Sequence, residues 1–248
     1  EVSYYIPPKI WAWNIRRVYR IKKYVDKLYV IFPFEKEIYN SYGIKANYFG
    51  NPIFENKHEN EKLEENVIAL LPGSRSQEVN KILPEMLKIV HQFSSYNFII
   101  VKSSNICKSH YDKLIRKNSS KNIFISNEST LEILGKSKAA IVTSGTATLE
   151  AVKMNVPQVV CYKTSKLNFY LANVLLKIKY ISLVNILLNK ECVKELIQNN
   201  LNPKKLSFEL NRLIDLNYSK KMVLDYKKIH GLLYQRNTSK KIATDILS

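Results

Sequence analysis

The chain is predicted to be an α/β protein built on parallel sheets with helices on both faces, and three observations predict it. Short apolar runs recur along the sequence, each followed by a segment of helical periodicity. The runs are near-continuous in hydrophobicity, Val67–Leu71 and Ala139–Val142 most clearly, as strands buried on both faces are. Two of them end in loops of Pro, Gly, Ser or Thr that open directly into a helix, the connection such sheets use.

In order, Ser3–Ile6 reads as a short strand and Ile15–Val25 as a basic helix with Val18, Ile21 and Val25 on one face. Lys27–Phe32 is a strand stopped by Pro33, and Glu35–Tyr42 is a helix ended by Gly43. Ala46–Phe49 is a strand running into the breaker Gly50-Asn51-Pro52. A highly charged stretch, 55–66, begins a second domain. There, Val67–Leu71, Asn97–Val101, Asn122–Ile125, Ala139–Val142 and Gln158–Tyr162 are strands. Helices are expected over Gln77–Phe93, Ser109–Lys117, Ser129–Lys136 and Thr146–Met154. Beyond Pro203 the chain is helical and polar. The expected organisation is therefore a first unit over 1–54, a main domain over 55–202 and C-terminal helices over 203–248. The opening residues already read as a strand in mid-fold, so an upstream part is expected.

With 248 residues and 46% hydrophobic content, the chain can bury one large core or two small ones. Its 24% charged residues exclude a disordered or membrane-spanning class, and no apolar run approaches the roughly 18 residues of a membrane span. Cys107, Cys161 and Cys192 are odd in number and form no CxxC pair, and the histidines are scattered without an HExxH. A disulfide framework and a zinc site are both unexpected, and no metal or cofactor is anticipated. The net charge of +18 leaves two readings open. One is lysine on every solvated face; the other is attraction to an anionic membrane surface or to phosphorylated substrates. Nucleic acid is not an expected partner, because the basic residues are dispersed and no nucleic-acid module is present.

Two loops carry candidate chemistry. In Leu70-Leu71-Pro72-Gly73-Ser74-Arg75-Ser76-Gln77-Glu78, a strand ends, a glycine turn follows and a helix begins. Such a helix start offers free N–H groups to phosphate, and Arg75 adds a permanent charge whose fork fits phosphate oxygens. The same residues also fit an ordinary βα turn with Ser74 as N-cap and Gln77 completing a capping box. The second loop, Thr143-Ser144-Gly145-Thr146-Ala147-Thr148-Leu149-Glu150, again joins strand to helix. Its small hydroxyl residues let a diphosphate approach the backbone, and Glu150, close to the loop, suits the two hydroxyls of a ribose. A capped helix with a solvated glutamate fits equally well. The loop is not a GxGxxG, which weakens a dehydrogenase reading; two phosphate-competent loops on one sheet point to a nucleotide diphosphate. Two further segments, the aromatic, lysine-bordered stretch 162–180 and the basic run Arg16–Lys23, suit an anionic lipid interface. They suit a core helix and a solvated helix face as well.

Five segments in order resemble the lipid-A-disaccharide synthases: Tyr5-Ile6-Pro7-Pro8-Lys9-Ile10-Trp11-Ala12-Trp13, Phe32-Pro33-Phe34-Glu35-Lys36, the two loops above, and Tyr180-Ile181-Ser182-Leu183-Val184-Asn185-Ile186-Leu187. The resemblance implies a GT-B glycosyltransferase architecture of two Rossmann-like domains facing a cleft. In that scheme this chain holds the end of the N-terminal, acceptor-side domain (1–54) and the complete UDP-sugar-binding domain (55–202). It implies transfer of 2,3-diacylglucosamine from UDP to the 6-hydroxyl of 2,3-diacylglucosamine 1-phosphate (lipid X), with inversion, giving a β-1,6 disaccharide and UDP without a metal. Arg75 and Asn185 become the catalytic expectations, Arg75 at the leaving diphosphate and Asn185 lining the cleft. Gly73, Ser74, Arg75, Ser144, Gly145, Thr146, Thr148 and Glu150 become the UDP-binding set. Trp11 and Trp13 are placed near the domain junction or as packing anchors. The implied partners are the two acylated sugars, the anionic inner-membrane surface on its cytoplasmic side, and a second copy in a homodimer. The general base is expected upstream, so this chain alone is expected to bind UDP without turning over. The alternatives are a related UDP-sugar glycosyltransferase or epimerase, and a non-catalytic nucleotide-binding fragment.

Overall fold

The computed structural model describes residues 1–11, 15–56, 66–118, 120–164 and 179–248. They divide into two compact units. The first holds the described residues up to 56 together with His230–Ser248; the second holds those from 66 to Ile229.

In the first unit, β1 (Ser3–Tyr5), β2 (Lys27–Val30) and β3 (Ala46–Tyr48) form a parallel sheet in that order, with Tyr4 opposite Leu28 and Leu28 opposite Ala46. The helix α1 (Arg17–Tyr24) turns Val18 and Ile21 onto Leu28, Val30 and Ala46, and its basic residues lie outside that seam. The helix α2 (Pro33–Ser41) starts at a proline, whose fixed φ and missing N–H suit the first helical position. Glu35, three residues past the cap, accepts the N–H of Phe32 at 3.3 Å and the indole N–H of Trp11 at 3.0 Å. Burial pushes this carboxyl above the ordinary carboxylate range, against the pull of those donors. Trp11 also meets Phe34 edge-on at 5.1 Å, so it packs as an anchor of this unit. Trp13 lies outside the described residues.

The second unit is a six-stranded parallel sheet in the order β6-β5-β4-β7-β8-β9. Its strands are β4 (Val67–Leu71), β5 (Asn97–Val101), β6 (Ile123–Ser126), β7 (Ala139–Thr143), β8 (Gln158–Tyr162) and β9 (Lys194–Ile197). Every residue of β4 and β7 is buried, which is why neither alternates in polarity. Between the strands come α3 (Ser76–Leu87), α4 (Lys108–Ile115), α5 (Thr130–Lys136), α6 (Ala147–Lys153) and α7 (Leu183–Leu188). The expected helix over 77–93 stops at Leu87, and a separate 3₁₀ turn covers Val90–Gln92. The sheet grows from β4 outward through β5 and β6, then reverses to β7, β8 and β9. That reversal puts the C-terminal ends of β4 and β7 side by side, with Leu71 opposite Val142, at the switch point where open α/β sheets bind ligands.

The C-terminal helices are α8 (Pro203–Ile214), α9 (Leu216–Leu233) and α10 (Thr238–Leu247). Asn202 caps α8 by accepting the N–H of Lys205 at 3.0 Å. The helix α10 closes the first unit. The Tyr29 hydroxyl donates to Asp245 Oδ2 at 2.7 Å, Lys27 Nζ donates to the Asp245 carbonyl at 2.9 Å, and the Thr238 hydroxyl donates to the Phe49 carbonyl at 2.9 Å. Burial, reinforced by Asp245, pushes the Tyr29 phenol up to about 12. Gly50, at φ +109°, allows this approach: a Cβ there would stand 2.5 Å from both Gln235 Cβ and Thr238 Oγ1.

Candidate functional site at the switch point

The loop after β4 is shaped by Glu78. Neither Ser74 nor Gln77 caps α3; the N-cap is Arg75, without a side-chain bond of its own. Glu78 reaches back instead, accepting the N–H of Ser74 on Oε2 at 3.3 Å and Nη1 of Arg75 on Oε1 at 3.0 Å. Gly73 sits over this carboxylate at φ +113°, where a Cβ would be 2.5 Å from Glu78 Oε2 and 2.9 Å from Glu78 Cβ. The Arg75 side chain is 81% exposed, so most of its donors face outward. The backbone N–H groups of Ser76 and Gln77 have no acceptor among the described residues, as expected in a first helical turn.

The loop after β7 is tied into its unit from behind. The Ser144 N–H donates to the Cys161 carbonyl at 3.2 Å, and its hydroxyl donates to the Ile181 carbonyl at 2.9 Å. Thr148, wholly buried, turns its hydroxyl back onto the Gly145 carbonyl at 2.7 Å. These groups therefore hold the loop's shape. The N–H groups of Gly145, Thr146 and Ala147 are left without an acceptor among the described residues. A Cβ on Gly145 would meet no atom within 4 Å. Thr146 is exposed, and the neighbouring Thr143 hydroxyl is buried without a hydrogen-bond partner. Glu150, in the first turn of α6, is half-buried, and its carboxylate has no hydrogen-bond partner among the described residues. Burial raises its pKa, and Lys153 pulls it back only in part.

Asn185 differs from its expected role. It is 0% exposed, and both ends of its amide are committed. Nδ2 donates to the Val193 carbonyl and to Glu195 Oε1, both at 2.8 Å, while Oδ1 accepts the N–H groups of Cys192 at 2.7 Å and Val193 at 3.0 Å. Its amide presents no free donor to a ligand. Glu195 in turn accepts the N–H of Ser182 at 2.9 Å and that of Ile181 at 3.0 Å. A chain of bonds thus runs from Asn185 through Glu195 and Ile181 to Ser144. Asn185 joins the candidate set as a brace behind the second loop.

The pairing of β4 with β7 starts the loop of Gly73, Ser74 and Arg75 and the loop of Ser144, Gly145 and Thr146 from adjacent strand ends, and the fold adds residues the sequence had not marked. Tyr162, at the end of β8, feels both Glu78 and Arg75; burial, then the Glu78 charge, raises its pKa, and Arg75 opposes the shift. Glu78 carried a readable signal, an acid at the third helical position. Glu195 carried none, because its partners are set by tertiary placement. Of the aromatic stretch 162–180, residues 165–178 lie outside the described residues. Among the described residues no group of His, Cys, Asp and Glu is placed to hold a metal ion, and no helix is long and apolar enough to cross a membrane.

Comparison with known proteins identifies the family and the fold. A family model described as lipid-A-disaccharide synthetase matches residues 1–246. The lipid-A-disaccharide synthase of Wigglesworthia glossinidia brevipalpis is 34% identical, over 95% of this chain and 64% of its own length. That of Coxiella burnetii is 31% identical, over 98% of this chain and 68% of its own. Among solved structures, a mutant of S. aureus TarM in complex with fondaparinux, alpha-GlcNAc-glycerol and UDP superposes with a TM-score of 0.56 at 13% identity, covering 86% of this chain and 41% of that one. This last likeness concerns the fold alone, which is the GT-B glycosyltransferase fold. The chain spans about two thirds of the length of the curated relatives it matches. By the match along nearly its whole length, the chain belongs to the lipid-A-disaccharide synthase family.

Proposed function

We propose that this chain carries the donor side of a lipid-A-disaccharide synthase. The reaction is transfer of 2,3-diacylglucosamine from UDP to the 6-hydroxyl of 2,3-diacylglucosamine 1-phosphate, with inversion, releasing UDP. The observation that carries this reading is the pairing of the two loops at the switch point, in a chain of this family. Departure of UDP builds negative charge on the diphosphate, and fixed donors aimed at that charge lower the barrier. Arg75 supplies a permanent cation there, supported by the outward reach of its guanidinium. Gly73 and Ser74 form the turn beneath it. The free N–H groups of Gly145 and Thr146 serve phosphate oxygens, and the space beside Gly145 lets the ligand come close to the backbone. Ser144, Thr148 and Asn185 act as supports of that loop. Glu150 holds the ribose: an unpartnered, half-buried carboxylate gains most from a pair of neutral hydroxyl donors. The base that takes the acceptor's proton is not assigned to a residue of this chain.

Acylated substrates require access to the cytoplasmic surface of the inner membrane. The exposed Arg16, Arg17, Arg20 and Lys23, beside Tyr19 (66% exposed) and Tyr24 (61%), support contact between α1 and anionic lipid headgroups.

Calorimetric titration of UDP into the chain and into Glu150→Ala tests the reading. The wild type is expected to bind, and the variant to lose about tenfold in affinity with the two ribose hydrogen bonds. Equal affinities would remove Glu150 from the ribose. No binding by the folded wild type would refute a donor site built from this chain's residues.

A further inference from the structure

Glu78 is the one charged side chain in the β4 loop without a part in the scheme above, and its geometry is specific. Its carboxylate engages the loop at two points: the Ser74 N–H at 3.3 Å and Arg75 Nη1 at 3.0 Å. It fills the space under Gly73, where a Cβ would stand 2.5 Å from Glu78 Oε2 and 2.9 Å from Glu78 Cβ on a backbone at φ +113° that favours glycine. Its own backbone N–H donates to the Arg75 carbonyl at 2.9 Å, so Arg75 is held to Glu78 through both main chain and side chain. As an exposed i, i+3 ion pair this contact adds little to stability. What it constrains is direction. Glu78 engages one nitrogen of the arginine fork, leaving the other N–H donors of the guanidinium to face an anion.

From this arrangement we infer that Glu78 is a positioning residue for nucleotide diphosphate: it aims Arg75 and fixes the Gly73–Ser74 turn before the ligand arrives. The inference rests on the proposed donor site, in which Arg75 meets the diphosphate. A flexible arginine must lose rotamer freedom on binding, and a partner that has already restricted it reduces that cost. A carboxylate that instead competed with phosphate for the Ser74 N–H and the Arg75 guanidinium would have to be displaced, and its removal would tighten binding. The two roles predict opposite signs.

The experiment is calorimetric titration of UDP into four forms of the chain: wild type, Glu78→Ala, Arg75→Ala and the double variant, with thermal melts to confirm folding. Positioning predicts that Glu78→Ala loses about tenfold in UDP affinity. It predicts little further loss when the same change is made in the Arg75→Ala background, because the effect acts through Arg75. Glu78→Gln, whose amide oxygen still accepts from Ser74 but without the charge, should recover part of the loss. Tighter binding by Glu78→Ala overturns the inference in favour of a competitor. An equal loss in both backgrounds overturns it in favour of a purely structural residue. If Arg75→Ala binds UDP as the wild type does, the donor-site reading itself fails and the inference falls with it; if Arg75→Ala weakens binding and Glu78→Ala does not, the inference alone fails.

Discussion

Replacing Asn185 with leucine separates a structural brace from a ligand contact. Leucine matches asparagine closely in size but removes four hydrogen bonds at once. Glu195 keeps its backbone donors from Ile181 and Ser182, and the part-buried Cys192 N–H can turn to water. The N–H and carbonyl of Val193, a residue 0% exposed, cannot. Stranding two buried backbone groups at about 1–3 kcal/mol each gives a loss of about 4 kcal/mol. That is a large share of a domain's net stability of roughly 5–15 kcal/mol. Asn185→Asp should also destabilise, because it keeps the acceptor for the two N–H groups but sets a second carboxylate where Nδ2 stands, 2.8 Å from Glu195 Oε1. Urea unfolding is the assay: the midpoint should fall with the slope unchanged. Under conditions where the variant is folded, UDP binding should persist, weakened only through the loop that Asn185 supports, since no atom of the amide is free to meet a ligand. A loss of stability below about 1 kcal/mol together with abolished UDP binding would refute the brace and return Asn185 to the ligand.

Three further outcomes are expected. Burial holds the Glu150 pKa above its ordinary 4.5, so the native state binds the proton more tightly than the unfolded chain. Stability should therefore decline as pH rises from about 4.5 through the raised value, and Glu150→Gln should remove that decline and melt higher than wild type at pH 7; identical melting profiles across this range would contradict it. Gly73→Ala places a Cβ 2.5 Å from Glu78 Oε2 at φ +113° and should cost about 1–3 kcal/mol in denaturant unfolding, with weaker UDP binding. Trp11→Phe keeps the edge-on contact with Phe34 but withdraws the indole donor 3.0 Å from the buried Glu35 carboxylate. A loss of about 1–3 kcal/mol is expected at neutral pH. Because the Glu35 pKa is already raised by burial, that loss should shrink on acidification as the carboxyl protonates; a pH-independent loss would place the effect in packing instead.

The parallel α/β class was legible in Val67–Leu71 and Ala139–Val142, because a strand covered on both faces reads as a near-continuous apolar run. Both candidate loops were legible for a local reason: a strand that stops in Gly, Ser or Thr and opens a helix writes its turn chemistry within a few residues. The strand β9 was not legible. Lys-Glu-Leu-Ile at the sheet edge buries only Leu196, so its polarity does not distinguish it from a loop. The alternative in which Ser74 caps α3 with Gln77 is not the one the chain adopts, because the backbone path after Gly73 brings Glu78 into reach of the loop instead.

By itself, then, the sequence determined what depends on near neighbours: the apolar strands, the breakers, the family motifs and the residue types at the two loops. The tertiary structure alone decided what depends on distant pairs. It set Leu71 beside Val142, bound Ser144 to Ile181 across 37 positions, and seated the Tyr29 phenol on Asp245 across 216. It also turned Asn185 inward, because a side chain's role is set by which of its donors and acceptors the surrounding backbone has already claimed, and that backbone is brought there only by folding.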